Sequence, residues 1–150
     1  MGNYGVAAVR ATNLYTKGQA SSPFNAWNLS TTALFGKGTS SQTKSCPRDA
    51  YLGLCESGLV KGIPTGNYTK SADNKAYAVT AAQLLLSKPS LIDLNNMALW
   101  KRVLRHRRKE TTKTHNQQMD VVRGLFLHHL LLPRSAAGTQ SSGNHRTKGN

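Results

Sequence analysis

The fold is decided by the stretch RDAYLGLCESGLV, Arg48 to Val60, because something like it returns seventy-one residues later as MDVVRGLFLHHLL, Met119 to Leu131. Asp49, Gly53, Leu54 and Leu59 fall on Asp120, Gly124, Leu125 and Leu130. Ala50, Tyr51, Cys55 and Val60 fall on other apolar residues. The first copy reads as a helix opening at Pro47, with Ser45 or Cys46 in the cap position and Asp49 complementing the dipole in the first turn. Gly58 is a natural left-handed stop, and Leu59 after it can fold back onto the last turn. His129 stands where Gly58 does in the second copy, so that helix is expected to run on or to end less sharply.

Upstream of the first copy, Asn3 can cap a helix over residues 3–17, ended by Gly18, with Val6, Val9, Ala11 and Leu14 on an approximate helical face. Ser22 before Pro23 opens a second helix over residues 23–35, and residues 36–44 form a polar, glycine-containing loop. Between the copies, Gly62, Pro64 and Gly66 forbid a long helix. Asp73 or Asn74 then caps a fourth helix, residues 75–87, which Pro89 ends. A fifth spans residues 91–104. Asn116 caps the last, which Pro133 closes. Each half is therefore a helix, a Trp-bearing helix (Trp27, then Trp100), a polar loop and a third helix. The expected fold is all-α, about six helices in two related three-helix units, near residues 3–60 and 74–132, within one domain of residues 3–132. The expected core adds Leu34, Val79, Leu84, Leu85 and Val121 to the residues already named. Residues 133–150, rich in Ser, Gly, Thr, Asn and cations, read as a disordered basic tail.

Two features carry a family resemblance. One is GTSSQTKSCPRDAYLGLCESGLVKGIPTGNYTKSADNKAYA, Gly38 to Ala78. The other is a set of shorter matches: Asn3-Tyr-Gly-Val-Ala, Ala26-Trp27 with Phe35-Gly36, and His115-Asn-Gln-Gln-Met-Asp-Val-Val122. Over roughly residues 3–122 the chain resembles a bacterial family known only as a domain of unknown function, and from Arg123 it departs from that pattern. The resemblance implies a bacterial protein with an α-helical domain. It brings no activity, ligand or catalytic residue.

The chemistry is bounded mainly by charge. Twenty Lys and Arg against six Asp and Glu give +14 in 150 residues, a field that recruits polyanions, nucleic acid above all. The excess gathers late, with eleven cations against two acids in residues 101–150. The loop before each third helix supplies the candidate nucleic-acid or anion-binding residues: Lys37, Lys44 and Arg48 in the first half, and Arg105, Arg107, Arg108, Lys109 and Lys113 in the second. Helix two, loop and helix three make a loose helix-turn-helix, with an overlong loop. Gly36-Lys-Gly-Thr-Ser-Ser has the composition of a phosphate-cradling nest but lacks the spacing of a nucleotide-binding loop.

Cys46 ahead of a helix, beside Lys44 and Arg48, is a candidate reactive thiol, with His115 as a conceivable partner from the other half. Cys55 reads as core, and the two cysteines make no disulfide framework. The histidines have no metal-ligand spacing, so no metal and no cofactor is expected. With six acids, paired-carboxylate hydrolysis is nearly excluded. No secretory signal or membrane-spanning run is present, and a cytoplasmic location follows. The leading expectation is a non-enzymatic, basic nucleic-acid-binding or regulatory module. The alternative is a protein-interaction or small-anion-binding helical domain.

Overall fold

The computed structural model describes residues 2–109 and 115–133. The tail from residue 134 lies outside them, as does Lys113. The described chain is all-helical: α1 (Asn3–Thr16), α2 (Pro23–Phe35), the single turn α3 (Ser40–Thr43), α4 (Ser45–Glu56), α5 (Ala72–Ser87), a 3-10 turn (Pro89–Asp93), α6 (Asn96–His106) and α7 (Gln118–Leu127). Among the described residues no helix is long and apolar enough to cross a membrane.

Several helix starts follow local chemistry. Ser22 accepts from Asn25 N–H with Pro23 behind it, Ser71 accepts from Asn74 N–H, and Asn95 accepts from Ala98 N–H. The fourth helix thus begins earlier than Asp73. The expected fifth helix divides, because the Pro89 segment winds as a 3-10 turn and Asn95 caps a fresh start. Thr39 accepts from Gln42 N–H and turns the expected loop into α3.

The remaining starts are set from elsewhere in the chain. Asn3 is the first residue of α1 and not its cap; the cap position is Gly2, with no capping side chain of its own. The carboxylate of Asp120, on α7, accepts from Gly2 N–H at 2.7 Å and from Gly5 N–H at 2.9 Å. α4 begins at Ser45 behind Lys44, so Asp49 sits beyond the first turn and pairs with Arg48 at 3.2 Å. α7 opens behind Gln117, held at φ +72°, one residue past the expected cap. Asn116 N–H donates to Gln118 Oε1 at 2.7 Å, and His115 Nε2 accepts from Met119 N–H at 3.4 Å.

Helix ends recur seventy-one residues apart. At α4, Gly58 has φ +75° and Leu59 N–H donates to Leu54 C=O at 3.1 Å. At α7, His129 has φ +58° and Leu130 N–H donates to Leu125 C=O at 2.9 Å. Both are the same left-handed C-terminal turn, so the last helix stops as sharply as α4 despite lacking glycine. The strain of a positive φ on His129 is accepted because the segment beyond is held. Val60 and Leu131 form an antiparallel bridge, in which Lys61 N–H donates to Leu130 C=O and Leu132 N–H to Leu59 C=O, both at 2.8 Å.

One apolar core runs through the described helices, centred on Trp27, Tyr51, Leu54, Leu59, Leu85, Leu99, Trp100, Val121 and Leu125. Trp27 stacks on Tyr51 at 5.2 Å between centroids, and Trp100 meets the edge of Tyr77 at 4.8 Å. Val6, Val9, Leu14, Leu34, Val79 and Leu84 are only partly buried. α1 instead buries Tyr4, Gly5, Ala7, Ala8, Ala11 and Thr12, because close neighbours on both sides admit only a thin helix face. The tightest approaches are at glycines: a Cβ on Gly53 would stand 2.6 Å from Lys75 Cα, and one on Gly124 2.5 Å from Gly5 Cα. α4 thus leans on the start of α5, and α7 on the start of α1.

The connector between α4 and α5 is fastened by Glu56. Its carboxylate accepts from Tyr68 N–H at 2.7 Å and Thr69 N–H at 3.1 Å, and it pairs with Lys75. Burial alone would raise the Glu56 carboxyl, but Lys75 and the two N–H donors outweigh it and hold the pKa below the usual carboxylate range. A lowered folded-state pKa contributes stability that is present above the unfolded value and is lost as pH falls through the folded one. Melting temperature should therefore fall with acidification below about pH 4.3, the ordinary Glu range. Glu56→Gln should melt lower at neutral pH, with the gap to the parent closing in acid. A constant gap across the series would mean that the carboxylate charge does not hold the connector.

Candidate nucleic-acid interface

α4 is enclosed through its middle. From Ala50 through Cys55 it is buried all round, because α5 and α7 cover it, and only residues near its two ends reach the surface. A groove-reading helix docks by its N-terminal residues, which on α4 are Ser45, Cys46, Arg48 and Asp49, with the middle of the helix enclosed. The glycine loop is committed internally. Gly38 N–H donates to Gln42 Oε1 at 3.1 Å, and Gln42 Nε2 donates to Thr31 at 3.1 Å.

The structure sorts the expected cations into separate places. Lys37 is exposed and Arg48 half-buried, and they line one hollow of about 290 Å3 with Asn28, Thr32, Gln42 and Thr43. Arg48 also lines an adjoining hollow of about 450 Å3 with Phe24, Asp49, Leu52, Tyr68, Thr69, Lys70 and Ser71. The Arg48 guanidinium lies 5.7 Å from the Phe24 ring centroid. Lys44 turns elsewhere, its ammonium 6.0 Å from the Tyr4 ring centroid on α1.

Arg105, Arg107, Arg108 and Lys109 are exposed at the C-terminal end of α6. There they oppose the negative end of the helix dipole, and Arg107 Nη1 donates to Thr80 on α5 at 3.3 Å. Lys70 was missed by sequence reasoning, because nothing local ties a connector residue to the start of α4. Arg123 is committed internally, donating to Asn96 Oδ1 at 2.8 Å and to Ile92 C=O at 3.3 Å.

Cys46 is half-buried, and its Sγ accepts from Asn116 Nδ2 at 3.4 Å, so the chain just before α7 does reach the start of α4. His115 packs 5.6 Å from Trp100 between centroids. Burial lowers its pKa; Asp120 opposes this and Lys44 adds to it, which leaves the ring neutral near pH 7. Burial drives the Cys55 thiol far above its ordinary value, with the Tyr51 hydroxyl only partly offsetting it. That thiol is inert. Among the described residues no three His, Cys, Asp or Glu side chains gather where they could hold a metal ion.

A family model matches residues 1–132, from the start of α1 through the hydrogen bond that returns Leu132 to Leu59. The chain belongs to DUF6979, a family of unknown function. The DUF6979 match extends ten residues beyond the resemblance read from the sequence. Residues 123–132 are thus inside the family domain, and the structure integrates them through Gly124, Leu125 and the bridge to Val60. No curated protein and no solved structure matches the chain.

Proposed function

We propose that this DUF6979 protein is a non-enzymatic nucleic-acid-binding module, and that its domain is two related three-helix units. The observation that carries the binding reading is the sharing of Arg48 between two adjoining hollows, which strings Lys37, Arg48 and Lys70 along one basic groove. A net charge of +14 supplies the long-range attraction. The setting is taken to be a bacterial cytoplasm, on the resemblance noted in the sequence.

The duplication reading is supported by structure that repeats at the sequence offset of seventy-one. Gly53 and Gly124 each approach the backbone of another helix closely, and Val60 and Leu131 are bridge partners. Gly58 and His129 each make a left-handed turn, as Gly18 and Arg108 do at the ends of α1 and α6. Each third helix leans on the first helix of the other half. The asymmetry is at the acids: Asp120 caps α1, whereas Asp49 pairs with Arg48 and α5 is capped by its own Ser71.

Binding of labelled oligonucleotides across a salt series tests the groove. Each phosphate contact contributes a slope of about 0.7 to 0.9 in log K against log salt. Lys37→Ala, Arg48→Ala and Lys70→Ala should each flatten that slope by about one contact's share. Unchanged affinity and slope in all three would remove the groove from the account. An absence of any binding would end the nucleic-acid reading and turn attention to a protein partner.

A further inference from the structure

We infer that the groove takes single-stranded nucleic acid, with the strand's backbone passing Arg48 and a base stacked on Phe24. This rests on the nucleic-acid reading and narrows it to one strand geometry. The first observation is shape. The two hollows measure about 450 and 290 Å3, near the lower end of the roughly 300–1,000 Å3 of small-molecule sites. Hollows of that size seat a base or a sugar-phosphate unit. They are open surface depressions, whereas reading a duplex requires a protruding helix or ribbon to enter a groove about 12 Å wide. α4, the helix nearest these cations, is buried along most of its length.

The second observation is the aromatic. Phe24, Leu29, Met97 and Leu127 are the large apolar side chains left exposed among the described residues, and Phe24 is the one aromatic of the four, 45% exposed. It stands at the start of α2, capped by Ser22, on a helix fixed in the core by Trp27. Tyr68 lines the same hollow and its hydroxyl is fixed on Pro64 C=O at 2.8 Å. The Arg48 guanidinium lies over the Phe24 ring, 5.7 Å from its centroid. An exposed ring with a cation on one face is the combination that stacks an unpaired base on the other while its phosphate is neutralised. A duplex keeps its bases stacked on one another and gains nothing from such a ring.

The third observation concerns what is committed. Arg48 uses Nε and Nη2 on Asp49, at 3.2 and 3.3 Å, two of the five N–H donors a guanidinium carries. Asp49 therefore orients Arg48, whose remaining donors face the strand, with Lys37 and Lys70 holding it on either side. The Gln42 amide, in the smaller hollow, is spent on Thr31 and Gly38 and does not read base edges. Recognition in this groove is by stacking and charge, and is tolerant of sequence.

The experiment compares a short labelled oligothymidylate with a random duplex of equal length, on the full chain, by fluorescence anisotropy at several salt concentrations. The single strand should bind more tightly. Phe24→Ala should lose about tenfold on the single strand and leave the duplex affinity unchanged, while Phe24→Trp should keep the single-strand affinity. Melting curves check that both variants fold, which the exposure of Phe24 favours. Equal or tighter duplex binding, or single-strand binding indifferent to Phe24→Ala, would overturn the inference while leaving a nucleic-acid role standing. Binding of neither probe would overturn both.

Discussion

Gly124→Ala should destabilise the protein by about 3 kcal/mol, at the upper end of what overpacking a close contact costs. The added Cβ would stand 2.5 Å from Gly5 Cα, 2.7 Å from Gly5 O and 2.8 Å from Gly5 C. All three atoms are backbone, so no side chain can swing aside, and α7 and α1 must separate. Alanine at the same place would gain about 1 kcal/mol of helix propensity over glycine, and the steric cost has to exceed that gain for the sign to hold. It should, because separating the helices also loosens Asp120 from the start of α1. Urea unfolding of the two proteins measures the difference directly. A variant as stable as the parent would mean that α1 and α7 are not in backbone contact. Gly53→Ala, where the clash is with Lys75 Cα at 2.6 Å, should behave in the same way.

Asp120→Ala should cost about 3 kcal/mol, since two hydrogen bonds to an ionised carboxylate are lost at about 1.5 to 3 kcal/mol each, less what water restores at the more open Gly2 end. Asp120 is only 2% exposed, so its charge is tolerated only because Gly2 and Gly5 N–H groups and the positive end of α1 surround it. A loss of that size corresponds to a fall in melting temperature of roughly 10 °C for a domain of this length. Asp120→Asn should lie between the two, because the amide keeps one acceptor oxygen but turns its NH2 toward backbone donors. Hydrogen exchange at Gly5 should accelerate in both variants. If the alanine variant melts with the parent, the carboxylate is not what fixes the start of α1.

The two substitutions act on one device, the Asp120 and Gly124 pair a turn apart on α7. The same Asp-x-x-x-Gly spacing stands at Asp49 and Gly53, where only the glycine makes the matching contact. Asp49 instead lines a hollow with Arg48 and Lys70.

Much was legible in the chain because its causes are local. Ser22 before Pro23 marked α2 correctly, since a cap and the proline it precedes lie in one turn. Gly58 marked the end of α4 for the same reason, and Trp27, Trp100 and Leu54 were core because large apolar side chains are costly to expose. The errors share a different cause. His129 takes the left-handed turn that its residue type disfavours, because the Leu131 bridge to Val60 holds the segment beyond it. Val6 and Val9 yield the inner face of α1 to alanines and a glycine, because the spacing of neighbouring helices selects small side chains there and residue hydrophobicity does not reveal that spacing.

The candidate site divides along the same line. Charge and its uneven distribution were in the sequence, and so were Lys37 and Arg48. Arg105, Arg107, Arg108 and Lys109 were also in the sequence, and they stand exposed at the C-terminal end of α6. Lys70 joined Arg48 only once the connector was fastened by Glu56. The sequence by itself determined the all-helical class, several of the helix boundaries, the basic character and the offset of seventy-one. Tertiary structure alone decided that Asp120 caps a helix 118 residues away, that α4 is buried, and which cations share a groove. Propensity and capping act within a turn or two and can be read from neighbours in the chain, whereas burial, trans capping and shared grooves depend on which surfaces meet when the core closes.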